Sequence, residues 1–184
     1  MKKKINALFA LLLLICFAAS SCGADVSALE NLCFAVRDFD LERAEKYTGE
    51  DKEGYFGGVL SLAEGLSAEK KETAKAIYSA MTFSKAVEED GVCTVTVRYV
   101  DFKGLTEAVE FEVNTGASAT ESLREIIESG RLQKQFMKTA ADVKVTLSKN
   151  ENGAFVELGY AGENAELTRI FGLDTFLRWY AMQR

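Results

Sequence analysis

The hydrophobic period of this chain changes in its middle, and that change restricts the fold more than any other feature. Up to Met81 apolar residues recur every three or four positions, the spacing of a core-facing helical stripe. Leu29, Leu32, Cys33 and Val36 make one such face, with Phe39 at its end. From Phe83 to Glu88 and from Val92 to Phe102 the period is two. Cys93, Val95, Val97 and Tyr99 point one way, and Thr94, Thr96 and Arg98 the other. Glu89-Asp90-Gly91 between these runs predicts a hairpin turn in which Gly91 supplies a positive φ. Helices first, then hairpins separated by a helical insertion, predict an α+β fold with N-terminal helices packed on a curved antiparallel sheet.

Local signals divide the rest. Ser27-Ala28-Leu29-Glu30 and Ser118-Ala119-Thr120-Glu121 read as capping boxes, and Asp40 as the cap of a short helix through Leu41, Ala44 and Tyr47. The glycine-rich stretch from Gly49 to Gly65 predicts a loose or broken helix carrying Tyr55, Phe56, Val59, Leu60 and Ala63. Ser67 opens a better one, with Ala74, Ile77, Ala80 and Met81 inward. Leu105 to Val113 fits either period. A helix through Leu123, Ile126 and Ile127 kinks at Gly130 before Leu132, Phe136 and Met137. Asp142 to Ser148 and Ala154 to Leu158 predict a second hairpin around Asn150-Glu151-Asn152-Gly153. Asn164 caps a helix with Leu167, Ile170 and Phe171 that stops at Gly172, and Asp174 starts a last amphipathic segment.

The first residues carry a different message. Lys2, Lys3 and Lys4 precede an apolar run, Ile5 to Ala19, broken only by Asn6; Ala19-Ser20-Ser21-Cys22 closes it. That is the layout of a secretory signal. The run is about fifteen residues against roughly twenty for a membrane-spanning helix, and no basic stop-transfer cluster follows. With its terminal cysteine the segment resembles the signal of bacterial lipoproteins. The resemblance implies cleavage before Cys22, diacylglycerol on its thiol with palmitate-type acyl chains, and an extracytoplasmic domain lipid-anchored at the cell membrane. Ala19 occupies the place where such signals most often carry Leu. Ordinary cleavage after Ser20 or Ala24 is the alternative. Cys16 follows the bulky Leu14 and Ile15 and does not fit the lipid site. The chain then divides into a signal (1–21), a short tether (22–26) and one α+β domain (27–184).

Charge narrows the partners. Removing Lys2, Lys3 and Lys4 from the 22 basic residues leaves 19 against 28 acidic ones, a net charge of −9. Such a surface repels nucleic acid and anionic lipid headgroups. The chain has no histidine, the commonest general base and transition-metal ligand, and no proline. No cofactor motif, phosphate loop or nucleophile motif occurs.

Several features in sequence resemble small Gram-positive lipoproteins with a nuclear-transport-factor-two-like (cystatin-like) cone. These are an early helix ending in Phe39-Asp40, the segment Ile77-Tyr78-Ser79 leading into a strand, and a strand from Thr94 to Asp101. A hairpin from Val143 to Leu158 and a helix ending at Gly172 follow. The resemblance implies that the second hairpin closes the sheet and that Leu105 to Val113 is helical. That cone hosts enzymes, binders and assembly modules alike, so it leaves the activity open.

Candidate chemistry is sparse. Cys33 and Cys93 sit on inward faces. A bridge between them would close a loop of about sixty residues and contribute roughly 4 kcal/mol in the chain-entropy model; two buried thiols are the alternative. Tyr99 and Asp101 share a strand face, and by resemblance to cone enzymes would pair a phenol with a carboxyl raised by burial. Asp38, Asp40 and Glu42 lack the loop glycine and distal Glu of a calcium loop, and read as helix end and cap. Phe176, Trp179 and Tyr180 read as a helix docking on the core. The leading expectation is a non-enzymatic, membrane-anchored domain that binds a protein or a small apolar ligand. The rivals are a hydrolase or isomerase using Asp101 and Tyr99, and a structural homodimer.

Overall fold

The strand with the cleanest alternation, β3 (Val92–Val100), is the centre of the sheet. The computed structural model describes residues 26–49, 54–89 and 92–183. One edge of β3 is shared by β1 (Thr82–Phe83), opposite Val97 and Arg98, and β2 (Val87–Glu89), opposite Val92 to Thr94. Its other edge pairs with β4 (Met137–Val145), and every pairing is antiparallel. The sheet is curved and open rather than closed into a barrel. The turn residues Asp90 and Gly91 lie outside the described residues, as does Cys22.

A β-bulge explains why β4 starts earlier than its sequence suggests. Val95 faces Val143 and Val97 faces Ala140, so Ala141 and Asp142 together oppose Thr96. Asp142 takes up the extra residue at φ 54°. The odd spacing between Ala140 and Val143 is absorbed, and Ala140, Val143 and Val145 all stay on the face of Val97, Val95 and Cys93. Met137 therefore belongs to the strand and not to the preceding helix.

The helices cover this buried face. Residues 26–37 form α1, which buries Leu29, Leu32, Cys33, Ala35 and Val36. Ser27 lies inside that helix rather than capping it. The Glu30 carboxylate reaches instead to β2's approach, accepting a hydrogen bond from the Ala86 amide at 3.1 Å. At the end of α1, Phe39 sits at φ 54° while the Asp40 amide donates to the Ala35 carbonyl and the Phe39 amide to that of Val36. This is a Schellman stop without the usual glycine. The stacking of the Phe39 ring on Tyr78, with centroids 5.3 Å apart, compensates the left-handed backbone. Asp40 then caps α2 (Leu41–Glu45), accepting from the Arg43 amide as expected.

The glycine-rich stretch is firmer than predicted. α3 (Tyr55–Glu64) runs unbroken for ten residues and buries Phe56, Gly57, Val59 and Ala63. Tertiary burial outweighs the roughly 1 kcal/mol penalty of each helical glycine. Ser67 caps α4 (Ala68–Tyr78), and Ser118 with Glu121 makes a complete capping box for α6 (Ala119–Glu128). Leu105 to Val113 belongs to α5 (Phe102–Val113), which follows β3 directly through its cap Asp101. Gly130, at φ 73°, separates α6 from α7 (Arg131–Gln135).

The second hairpin departs from expectation. Ser148–Asn150 (β5) and Gly153–Phe155 (β6) form their own two-stranded sheet and do not close the main one. The segment after β6 is tied by single hydrogen bonds, such as Val156 N–H to the Tyr47 carbonyl at 2.8 Å. Asn164 holds the N-cap position of α8 (Ala165–Phe171) but does not bond the helix amides with its side chain. Buried, it accepts from Thr146 N–H at 2.8 Å and donates to the carbonyls of Thr146 and Glu157 at 2.9 and 3.0 Å. It clamps two extended segments where a ladder is missing. Gly172, at φ 57°, ends α8 and begins α9 (Leu173–Met182), whose Leu173, Phe176, Leu177 and Tyr180 are buried. Lys70 donates to the Tyr180 carbonyl at 3.0 Å and so caps the far end of α9. No helix among the described residues is long and apolar enough to cross a membrane.

Candidate functional site

Tyr99 and Asp101 come together in a cleft at the C-terminal end of β3. The cleft encloses about 220 Å³ between the start of α5 and the α8–α9 junction, with Lys103, Tyr160, Arg169 and Thr175 completing it. Antiparallel register places Lys138 beside Tyr99, on the same face as Val97 and Ala140. From there the Lys138 ammonium meets Asp101 Oδ2 at 2.6 Å. Asp101 Oδ1 accepts the Gly104 amide of α5 at 3.3 Å. A side chain at Gly104 would crowd that carboxylate, since a Cβ there would lie 2.9 Å from Oδ2.

These contacts define the chemistry of Asp101. Burial alone would raise its pKa, but the Lys138 hydrogen bond, the Gly104 amide and the charges of Lys138 and Lys103 outweigh it and lower the pKa. Asp101 is therefore a carboxylate at neutral pH with both oxygens engaged. It lies beyond the strand, at the helix cap, and its lowered pKa is opposite to that of a buried general acid. Lys138 is correspondingly raised, chiefly by its hydrogen bond to Asp101.

Behind the cleft lies a group of aromatic rings. Tyr160 donates to or accepts from Thr175 Oγ1 at 3.0 Å and meets Tyr55 edge-on. Burial raises the pKa of Tyr55, with the neighbouring Tyr160 adding to the effect; complete burial does the same for Tyr78. The Tyr55 and Tyr78 hydroxyls are buried and make no hydrogen bond of good geometry. Tyr78, Phe102 and Phe176 fill the space beneath with mutual centroid distances of 5.0 to 6.0 Å.

The sequence singles out Tyr99 and Asp101 but misses Lys138, Tyr160, Arg169 and Thr175. The alternation in Met137 to Val145 is broken by the bulge, so the position of Lys138 beside Tyr99 is unreadable without the register. Cys33 and Cys93 both lie buried in the core. Burial first, then the charge of Glu30, pushes the Cys33 thiol upward. Trp179 is docked through Nε1 to Glu110 Oε1 at 2.8 Å.

No family model matches the chain, and no curated protein matches it. Among solved structures, it is similar at 22% identity to ycdA of Bacillus subtilis subsp. subtilis strain 168, a protein provisionally described as a lipoprotein. The TM-score is 0.43, over 83% of this chain and 57% of that one, so the chain spans little more than half of that protein's length.

Proposed function

We propose that the protein is a membrane-anchored extracytoplasmic lipoprotein whose folded domain binds and does not catalyse. The order Lys2-Lys3-Lys4, apolar run, small residues and Cys22 supports the anchor. The lipid on Cys22 would hold the domain at the envelope without any membrane-spanning helix, and two acyl chains suffice for stable attachment. The observation that carries the non-enzymatic reading is Asp101, whose two carboxylate oxygens are engaged by Lys138 and the Gly104 amide. The cleft at Tyr99 and Asp101 offers phenol, hydroxyl, guanidinium and ammonium groups at an exposed mouth, a surface for recognition. The cone architecture stays part of this proposal only at the level of helices layered on a curved sheet, since the second hairpin stands apart.

The test is metabolic labelling with a fatty-acid analogue. The wild-type chain takes up label and fractionates with membranes, whereas Cys22→Ser does neither. Equal labelling of the two removes the anchor.

A further inference from the structure

The end of β3 remote from the cleft carries the opposite surface. Cross-strand partners point to the same side of a sheet, so the pairs Val87–Thr94 and Glu89–Val92 share one face, while Glu88 shares the other with buried Cys93. That first face leaves Val87 53% and Val92 37% exposed. The hairpin cannot swing away from the start of the domain. Glu30 of α1 holds the Ala86 amide, and Val26, Ala86 and Val87 line one groove.

We propose that the β2–β3 hairpin, with Val87 and Val92 on its open face, is the surface on which the anchored domain rests against the lipid bilayer. The inference rests on the anchor at Cys22. Three residues, Gly23, Ala24 and Asp25, lie between Cys22 and Val26, and the four steps across them reach about 14 Å when fully extended. A domain of about 160 residues has a radius of gyration near 15 Å and is therefore more than 30 Å across. The tether is too short for the far side to turn toward the membrane, so the face bearing Val26 is the one brought to the lipid. The hairpin is fixed beside Val26, and its outward side chains include two valines. Glu89, and Lys144 opposite Thr94, share that side with them, a mixed-charge rim that favours a zwitterionic over an anionic headgroup layer. The strand from Val92 to Val100 spans about 26 Å. The cleft at Asp101 thus opens toward the aqueous side, where a partner has access to it.

The experiment uses the full lipidated chain reconstituted in phosphatidylcholine vesicles containing spin-labelled acyl chains as quenchers. Single cysteines at Val87→Cys, Val92→Cys and, on the same face, Glu89→Cys carry a fluorophore; Lys103→Cys at the opposite end is the reference. Cys33 and Cys93 are buried and escape the label. The expected result is several-fold stronger quenching at positions 87, 89 and 92 than at 103. Equal quenching at all four sites, with the protein still floating with the vesicles, overturns the orientation and leaves the anchor standing. Loss of flotation overturns both. Quenching that vanishes on dilution of protein at constant lipid assigns the face to a second copy and overturns the bilayer contact.

Discussion

The two ends of β3 are built on different principles. At the C-terminal end the interior is aromatic: Phe39, Tyr78, Phe102 and Phe176 form a continuous set of ring contacts, and Phe176 also meets Trp179 and Tyr180. Above them the surface is charged, with Asp101, Lys138, Lys103 and Arg169. At the N-terminal end the interior is made of small side chains, Cys93, Val95, Val143 and Val145, and the sheet is secured by the Ala86 and Thr146 amides, which donate to Glu30 and Asn164. There the outer face carries the exposed Val87 and Val92 among Thr94, Glu89 and Lys144. One strand thus joins a rigid, polar-faced end to a thinner, valine-faced end, and on the proposed anchor at Cys22 the second lies nearer the membrane.

The largest effect should follow from removing rings at the rigid end. Phe176 is fully buried and touches four other rings, so Phe176→Ala should cost about 3–5 kcal/mol in chemical denaturation. A cost under 1 kcal/mol would show that the aromatic set is not what holds that end. At the other end the corresponding change is polar. Asn164→Ala orphans the amide and carbonyl of Thr146 and the carbonyl of Glu157, at about 2–3 kcal/mol for the buried groups together. It should also raise amide hydrogen exchange at Thr146 more than at Lys138. Uniform exchange would place the clamp elsewhere.

The difference between the ends also separates what the sequence shows from what it hides. β3 is legible because its alternation is unbroken, α4 and α6 because capping residues and apolar stripes agree, and α1 from its apolar stripe alone. β4 is not, since a bulge at Ala141-Asp142 destroys the period that would reveal it. Phe39 hides a helix stop, because the backbone there is left-handed without glycine and is held by a ring 39 residues away in sequence, Tyr78. Asn164 has the residue type of a helix cap, yet its side chain serves strands distant in sequence. Asp101 and Tyr99 are readable as neighbours on a strand. The partner that settles the charge state of Asp101 comes from the hidden strand β4. Local chemistry is visible in one dimension; whatever depends on register is not.

The Asp101–Lys138 pair gives a smaller effect with a defined pH signature. The folded pKa of Asp101 lies below its ordinary value of 3.8, so the unfolded chain takes up the proton first as pH falls. The stabilisation is fully present above that value and is lost as pH drops through the lower, folded pKa. Because the pair is partly solvated, its contribution is about 1 kcal/mol or less. Asp101→Asn keeps a cap for α5 while removing the charge, so it should lower stability at pH 7 by that amount and converge with wild type in acid. A difference that persists unchanged in acid would mean that packing, and not charge, is what the substitution disturbs.

The smallest effect belongs to the valine-faced end, and its smallness is informative. Val87 and Val92 are exposed and pack against little, so in the unlipidated Cys22→Ser chain Val87→Ser and Val92→Ser should each change folding stability by less than about 0.5 kcal/mol. Exposed valines that the fold does not need are a feature for which the folded domain alone offers no use. If either substitution instead cost 2 kcal/mol or more, on the order of a buried side chain, the valines would be part of the core and the contrast between the two ends would disappear. If both are neutral in that chain yet shift the lipidated chain, with Cys22 intact, away from vesicles, their contribution lies at the bilayer.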